Sequence, residues 1–274
     1  MSKFTIMMST QFNWPNRTLL AALMILNAGA EAILAEVPAA LLSKLQRAEQ
    51  SRGDLGTSGL QWTVVASMTE KGEKKGATIR AVTQRGKAFA EFLAPEEAKG
   101  KKYLVADGKM WFHKPKLSRA VSVSKRQRLM GNASIGDFAS TSFLVNYEPE
   151  SVSDVTLNGE ACHLFTLKKR SRRASYGRIR YWISIRRSVG LKAEFETTSG
   201  KVIRSATMEY ENSVSVGGKK IPLLSRMTVN ETIGSAKVTR LTFREVKKGT
   251  FPDTLFDPSA LAPKRDKRIR RFGK

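Results

Sequence analysis

Cysteine and histidine are scarce in this sequence. Cys162 is the only cysteine among 274 residues, which excludes an intramolecular disulfide, so the hydrophobic core must stabilise the fold without one. Only two histidines occur, His113 and His163. His163 directly follows Cys162, and neighbouring side chains on a strand point to opposite faces, so the two cannot form a nucleophile and base pair there. The chain also has no Gly-rich phosphate loop, no metal-spaced His/Cys cluster and no G-x-S-x-G motif. We therefore predict neither an enzyme nor a cofactor or metal site.

Long apolar runs are also absent. The apolar run at residues 19–26 is far shorter than the ~20 residues that span a bilayer. It follows Lys3 and Arg17 without an intervening acid and precedes small residues up to Ala30, which is the order of a secretory signal peptide. We expect a signal peptide over residues 1–32, and release of a soluble protein, since no cysteine near the cleavage point could carry a lipid anchor. The alternatives are a retained membrane anchor and a buried amphipathic helix.

Acidic residues are half as numerous as basic ones. The chain has 24 Asp or Glu against 48 Lys or Arg, a formal net charge of +24. Residues 168–187 contain nine Lys or Arg and no acid, and the tail over residues 263–274, which we expect to be disordered, is also strongly basic. Such a field favours an anionic partner, and for an exported protein a phospholipid or lipopolysaccharide surface is more available than nucleic acid. The alternative is a solvated face and a solvated tail.

One helix and many strands are predicted after the signal peptide. Pro38 precedes a run over residues 39–52 that predicts a helix ended by Gly53, with one apolar stripe made of Leu41, Leu42, Leu45 and Ala48. From residue 60 onwards, short runs of alternating apolar and polar residues between turn-forming residues predict an antiparallel sheet. The predicted strands are residues 60–68, 77–84, 87–94, 102–106, 109–113, 119–123, 154–157, 160–167, 178–185, 191–197, 201–210, 219–229 and 237–246.

Two further helices are expected in the middle of the chain, at residues 124–130 and 135–143. A long antiparallel sheet needs closure or a cover. With the first helix, these two would lie over one face of a strongly curved sheet and leave an apolar pocket with a lid.

The segment over residues 95–138 carries an ordered set of short motifs that continues through the rest of the chain. Its members are Pro95, Lys99-Gly100, Leu104, Met110-Trp111, Pro115, Arg119, Met130-Gly131 and Asp137, then Tyr147, Tyr176 to Trp182, Pro222, Thr239, Leu241 and the ending FPDTLFDPSAL. This ordered set resembles the outer-membrane lipoprotein-sorting protein family, the relatives of the periplasmic carrier LolA.

The resemblance implies a mainly β (α+β) fold over residues 33–262. It would be a half-barrel of about eleven antiparallel strands covered by lid helices, located in the periplasm of a Gram-negative bacterium, with an apolar cavity for acyl chains. The chain departs from the family in its high positive charge and in its Arg-rich loop at residues 168–173. Since fold alone does not settle function, the cargo stays open.

Bulky apolar side chains on the concave face are the candidates for contact with an acyl chain, because each buried methylene contributes ~0.8 kcal/mol. For each of them the alternative is an ordinary core position. The candidates are Trp62, Val64, Phe89, Phe92, Met110, Phe112, Met130, Phe138, Phe143, Phe165, Tyr181, Ile183, Phe195 and Met208.

A second set of candidates belongs to the lid or the family motif. Arg119 and Asp137 bracket the expected lid helix, so an ion pair that latches the lid is a hypothesis, and two unrelated surface charges are the alternative. Trp111, on the opposite side of its strand from Met110, is expected to pack under the lid. The full set is Pro95, Gly100, Trp111, Pro115, Arg119, Gly131, Asp137 and Tyr147.

Three functions are compatible with these features. The first is a carrier that moves lipid or lipoprotein acyl chains between the inner and outer membranes, docking through its basic segments on an anionic membrane surface or a membrane transporter. The second is a lipid-sensing regulatory or accessory protein that acts with a membrane-protein partner. The third, nucleic-acid binding, rests on charge and on Tyr176, Tyr181 and Trp182 among arginines, and we predict no specific nucleic-acid partner.

Overall fold

The computed structural model describes residues 37–70, 73–123, 128–130, 133–134, 142–232 and 238–262. The predicted signal peptide and basic tail lie outside these residues. The predicted first helix is confirmed as α1 (Ala39–Arg52). It ends at Gly53, whose backbone is left-handed (φ 115°) and whose N–H donates to the carbonyl of Gln50 at 2.9 Å. A glycine takes this conformation without steric strain, so it ends the helix here. None of the described helices is long and apolar enough to cross a bilayer.

Strands make up most of the remaining described chain, with 3-10 helices at Phe143–Val145, Asp253–Phe256 and Pro258–Ala260. The strands are β1 Gly59–Glu70, β2 Glu73–Gln84, β3 Lys87–Ala94, β4 Lys102–Ala106, β5 Lys109–His113, β6 Val121–Val123, β7 Arg128–Met130, β8 Ala133–Ser134, β9 Tyr147–Leu157, β10 Glu160–Lys169, β11 Arg178–Ser184, β12 Gly190–Glu196, β13 Val202–Glu209, β14 Asn212–Val216, β15 Lys219–Leu223, β16 Arg226–Glu231 and β17 Val238–Gly249.

The main sheet has thirteen antiparallel strands in the order β6-β5-β4-β3-β2-β1-β17-β16-β13-β12-β11-β10-β9. The expected curved, open antiparallel sheet is confirmed, but the count of about eleven strands that the resemblance implied is wrong. The sheet is longer because each of the thirteen alternating runs in the sequence contributes a strand to it. In the described part of the chain, β6 and β9 are its edges, and β1 pairs with β17 in the middle.

The helix expected at residues 124–130 is wrong where the structure describes it. Arg128–Met130 is β7, which pairs with β8. The two strands flank Gly131-Asn132 in the sequence, and glycine and asparagine favour the turn of a hairpin over a helix. Of the helix expected at residues 135–143, only Ser142 and Phe143 are described: Ser142 is extended, and Phe143 begins a 3-10 helix. The rest of both segments lies outside the described residues.

The hairpin of β14 and β15 leaves the main sheet between β13 and β16. The strand predicted at residues 219–229 is therefore two strands, β15 and β16, separated by Leu224 and Ser225. The side-chain amide of Asn212 donates to the carbonyls of Leu224 and Phe243, each at 2.8 Å. The N–H of Leu224 in turn donates to the carbonyl of Ser51 at 3.0 Å. The two bonds from Asn212 fix the start of the hairpin to the place where the chain returns to the sheet. The bond from Leu224 attaches that place to α1.

Two apolar clusters lie on opposite faces of the main sheet. The large cluster lies on the face that α1 covers, here called the inner face, where Leu45 and Ala48 of the helix are fully buried. The small cluster lies on the outer face, where Phe256 and Leu261 of the C-terminal segment pack on Leu104. The two-residue period of the strands separates the clusters, because successive side chains point to opposite faces.

Candidate acyl-chain binding face

The inner face brings most of the predicted apolar candidates into one cluster. Of the predicted residues in this cluster, Phe112 is only half-buried and the others are buried. The predicted residues found there are Trp62, Val64, Phe92, Met110, Phe112, Phe143, Phe165, Tyr181, Ile183, Phe195 and Met208.

Aromatic rings are spread along the whole inner face. Towards the β6 edge, the ring of Tyr103 lies 5.9 Å from that of Phe92 and 4.8 Å from that of Phe112. In the middle of the sheet, the rings of Trp62 and Phe243 meet edge to face at 5.3 Å. The face is therefore apolar from one half of the sheet into the other, as contact with a long hydrocarbon chain requires.

Towards the β9 edge, Phe143 lies at the centre of another aromatic group. Its ring meets Tyr181 edge to face at 5.2 Å and Phe195 at 5.9 Å, and Tyr176 lies 4.7 Å from Phe195. Phe143 comes from the 3-10 helix, while Tyr181 and Phe195 come from adjacent strands. The 3-10 helix thus inserts an aromatic side chain between the sheet and its cover.

Phe89 and Trp111 do not join the other candidates. Both contact the small cluster on the outer face, beneath the C-terminal segment. On β3 the inner positions belong to Ala88 and Ala90, so Phe89 between them points outward. The expectation that Phe89 lies on the concave face is therefore wrong, and the described cover over Trp111 is the C-terminal segment.

The described motif residues take part in separate local contacts and do not form one site. Gly100 has a left-handed backbone (φ 75°), and a Cβ atom on it would lie 3.0 Å from the Cγ of Pro115, so the motif glycine and proline pack against each other. The Ala94–Pro95 peptide bond is cis. The hydroxyl of Tyr147 accepts a 2.9 Å hydrogen bond from the N–H of Tyr176.

Part of the predicted lid stays untested. Arg119 is exposed. Asp137, Phe138 and Gly131 lie outside the described residues, as does the side chain of Met130, whose backbone is in β7. The latch between Arg119 and Asp137 therefore remains a prediction.

A buried ion pair on α1 was not among the predicted sites. The side chains of Glu49 and Arg52 are each 2% exposed, and their charged groups lie 3.1 Å apart. The carboxylate of Glu49 also accepts hydrogen bonds from the backbone N–H of Phe143 and, at 3.4 Å, of Leu144. The guanidinium of Arg52 lies 3.6 Å above the ring centroid of Phe143. The ion pair thus fixes the 3-10 helix to α1.

Burial raises the pKa of Glu49 above its ordinary value, although Arg52 and the hydrogen bond from Phe143 act in the opposite direction. Its position in the sequence could have revealed the pair. Leu45, Ala48, Glu49 and Arg52 follow the i, i+3, i+4, i+7 spacing of one helix face, so the two charges continue the apolar stripe.

Two tyrosines lie close to this ion pair. Burial raises the pKa of Tyr181 well above its ordinary value, and it also raises the pKa of Tyr210. A Cβ atom at Gly190 would overlap the hydroxyl of Tyr181, so only glycine fits beside that ring. Tyr210, which the prediction missed, lies two residues beyond Met208 and donates to its sulfur at 3.7 Å.

The Cys162-His163 pair has structural contacts of its own. His163 Nδ1 lies 2.6 Å from Asp154 Oδ1 on the neighbouring strand. The thiol of Cys162 donates to the carbonyl of Glu160 at 3.4 Å, and burial followed by the charge of Glu160 raises the pKa of that thiol. A raised pKa makes a cysteine less nucleophilic. Among the residues that the structure describes, no His, Cys, Asp and Glu cluster suits a metal ion.

A family model described only as "-like: Uncharacterized protein" matches residues 84–263. The chain belongs to this family. Curated proteins give no match. Among solved structures, the chain is similar to the LolA superfamily protein NE2245 from Nitrosomonas europaea, with 21% identity, a TM-score of 0.68 and coverage of 79% of this chain and 96% of that one.

Two further solved structures have the same architecture. One is a domain assigned to outer membrane lipoprotein sorting from Vibrio parahaemolyticus, with 18% identity, a TM-score of 0.65 and coverage of 80% of this chain and 97% of that one. The other is a DUF1329 family protein from Desulfovibrio piger, with 16% identity, a TM-score of 0.66 and coverage of 80% and 98%. The family member described here therefore has a LolA-like fold.

Proposed function

We propose that this protein is a periplasmic carrier that holds the acyl chains of a lipid or lipoprotein against the inner face and moves them between the inner and outer membranes. The observation that carries the proposal is the continuous apolar inner face of an open, LolA-like sheet. Half-buried apolar side chains adjoin its buried cluster, including Phe112, Val123, Leu144 and Tyr176. These are the positions where an incoming chain would first replace water.

Hydrocarbon contact alone supplies enough free energy for such binding. A chain of about twelve carbons contributes about 10 kcal/mol if fully buried, at ~0.8 kcal/mol per methylene. The entropic and desolvation costs of association take back a large part of that figure. The resulting affinity is intermediate. A carrier needs such an affinity, because it must release its cargo as well as bind it. Binding of this kind requires no catalytic group.

Export and docking complete the proposal. The signal peptide expected at residues 1–32 would deliver the chain to the periplasm, between the two membranes. The formal charge of +24 supports docking on an anionic membrane surface or on an acidic face of a membrane transporter.

Two phenylalanines on opposite faces provide the test. Phe112→Gln places an amide on the inner face, whereas the matched control Phe89→Gln makes the same change on the outer face. We expect Phe112→Gln to weaken binding of a fluorescent fatty acid by about tenfold, because removal of one phenyl contact loses ~1.5 kcal/mol. Phe89→Gln should leave binding within about twofold of the parent protein.

Native mass spectrometry of the protein purified from a Gram-negative host gives an independent measurement, with co-purified lipid as the expected result. Absence of any bound lipid, together with no uptake of the fluorescent fatty acid, would contradict the carrier proposal. Equal loss of binding in the two variants would show that the inner face is not the binding site. Thermal unfolding of both variants checks that each remains folded.

A further inference from the structure

The loop over residues 170–177, here called the strap, joins β10 to β11 and bridges distant parts of the sheet. A Cβ atom at Gly108, in the turn between β4 and β5, would overlap the side chain of Arg173. In the sheet order, β4 and β5 lie near one edge, while β10 and β11 lie near the other. The strap therefore bridges part of the opening between β6 and β9, the edge strands of the sheet that the structure describes.

Hydrogen bonds hold the strap in a defined conformation. The N–H of Arg170 donates to the carbonyl of Asn146 at 3.0 Å, and the N–H of Tyr176 donates to the hydroxyl of Tyr147 at 2.9 Å. The hydroxyl of Tyr176 accepts a 3.1 Å hydrogen bond from the guanidinium of Arg204. The strap is therefore a built element, anchored at its start and near its end.

The strap is apolar towards the sheet and cationic towards solvent. Ala174 and Tyr176 pack against the large apolar cluster. Lys169, just before the strap, and Arg170 and Arg172 within it have exposed side chains. An apolar contact surface and a group of exposed cations thus meet within a few residues.

These cations differ from most of the arginines on the neighbouring strands. Arg178 is paired with Glu150 at 3.0 Å, and Arg180 is paired with Glu194 at 3.0 Å. For Lys169, Arg170 and Arg172, no carboxylate among the described residues lies within ion-pair distance. Their charge is available to a ligand.

We propose that the strap binds the phosphate of an anionic lipid whose acyl chains lie on the inner face. This inference rests on the proposed carrier function and narrows its cargo to amphiphiles with a negatively charged headgroup. A guanidinium matches the geometry of a phosphate and can donate two hydrogen bonds to it. A lipid with its chains beneath Tyr176 would leave its headgroup at the exposed side of the strap, beside Arg170 and Arg172.

The test compares two short-chain lipids that have the same acyl chains, phosphatidic acid and diacylglycerol, each below the concentration at which it aggregates or separates from water. Lys169→Gln/Arg172→Gln removes two charges without removing a hydrogen bond among the described residues. The matched control Lys247→Gln/Lys248→Gln removes two exposed charges from β17, in the middle of the sheet order. Isothermal titration calorimetry measures the dissociation constants.

We expect the strap variant to weaken phosphatidic acid binding by about tenfold or more, the usual effect of losing a charge-assisted hydrogen bond. Diacylglycerol binding to the strap variant, and binding of both lipids to the control, should stay within about twofold of the parent protein. Equal weakening in the control would overturn the site, because it would show a general effect of net charge.

Other outcomes separate this inference from the carrier function. If both lipids bind equally well and neither responds to the strap variant, the carrier function stands and the headgroup site is wrong. If neither lipid binds the parent protein, both proposals fail. If inorganic phosphate displaces phosphatidic acid from the parent protein at the same concentration as phosphatidic acid itself binds, the strap is a general anion site and not a lipid headgroup site. An effect seen only with anionic vesicles would replace headgroup binding with membrane docking.

Discussion

The ion pair between Glu49 and Arg52 allows a quantitative prediction. Glu49→Gln keeps the shape of the side chain but removes its charge, which leaves the guanidinium of Arg52 buried opposite a neutral amide. It also weakens the acceptor for the backbone N–H of Phe143 and Leu144. Breaking a buried pair on one side costs about 3–5 kcal/mol. Since a domain has a total stability of about 5–15 kcal/mol, this single change should remove a large part of it.

Guanidinium chloride unfolding, followed through tryptophan fluorescence, measures this loss. Trp62 is 2% exposed and should report the opening of the inner face. The midpoint should fall without a change of slope, because the surface exposed on unfolding stays the same. The control is Glu49→Met/Arg52→Met, which replaces both charges by flexible apolar side chains. We expect it to lie within about 1 kcal/mol of the parent protein or above it, as replacements of buried ion pairs do.

The pH dependence gives a second readout of the same pair. Since burial raises the pKa of Glu49 in the folded protein, the unfolded chain loses this proton first as the pH rises from 4.5. Ionisation of this carboxyl therefore lowers the stability as the pH rises above 4.5, and Glu49→Gln should lack this slope. The amide still costs stability at neutral pH, because its NH2 group must face either the guanidinium of Arg52 or the N–H of Phe143, two donors that the carboxylate oxygens now accept from. A loss below about 1 kcal/mol in Glu49→Gln, or a double variant as unstable as the single one, would refute the reasoning.

Three further predictions concern stability. Gly190→Ala should destabilise the protein by about 1–3 kcal/mol in chemical unfolding, because its Cβ overlaps Tyr181, and Gly190→Ala/Tyr181→Leu should recover part of the loss. Burial raises the pKa of Tyr181 above its ordinary value of 10.0, so the contribution of the neutral, folded tyrosine to stability is fully present below pH 10.0. Stability should fall at higher pH, where this tyrosine ionises in the unfolded chain. Tyr181→Phe should lessen that fall in thermal unfolding scans. Hydrogen bonds from Arg187 and then Ser184 lower the pKa of Glu160, so these bonds contribute to folding stability above pH 4.5 and lose that contribution as the pH falls. Arg187→Gln should reduce this acid sensitivity. It should change the stability at neutral pH by no more than about 1 kcal/mol.

Local alternation predicted most of the sheet correctly. The thirteen runs of period two correspond to the thirteen strands of the main sheet, although the resemblance implied about eleven. This works because one buried face fixes the register of a strand, so its pattern appears directly in the sequence. The hairpin β7 and β8 was missed, since two short strands do not show a readable period.

Side-chain placement was harder to predict where small residues occupy the inner face. Phe89 was assigned to that face because of its size, yet Ala88 and Ala90 beside it face inward. Strand parity could have corrected this, but only with the register of the whole sheet. Glu49 was missed for a different reason. Its spacing from Leu45 and Ala48 places Glu49 on the buried stripe beside Arg52, but its hydrogen bond from the distant Phe143 cannot be predicted from the helix alone.

The pairing of β1 with β17 has a consequence for how the chain folds. Gly59 pairs with Gly249, so the middle of the sheet joins residues from opposite ends of the described chain, whereas β2 to β5 and β9 to β12 pair with strands adjacent in sequence. Pairing between distant segments closes a long loop and slows folding. The two runs of local hairpins can form early, but the sheet stays in two halves until β17 arrives. If the proposed signal peptide exports the chain from its N-terminus, β17 would be among the last of the described strands to leave the cytoplasm, and the fold could be completed only after export.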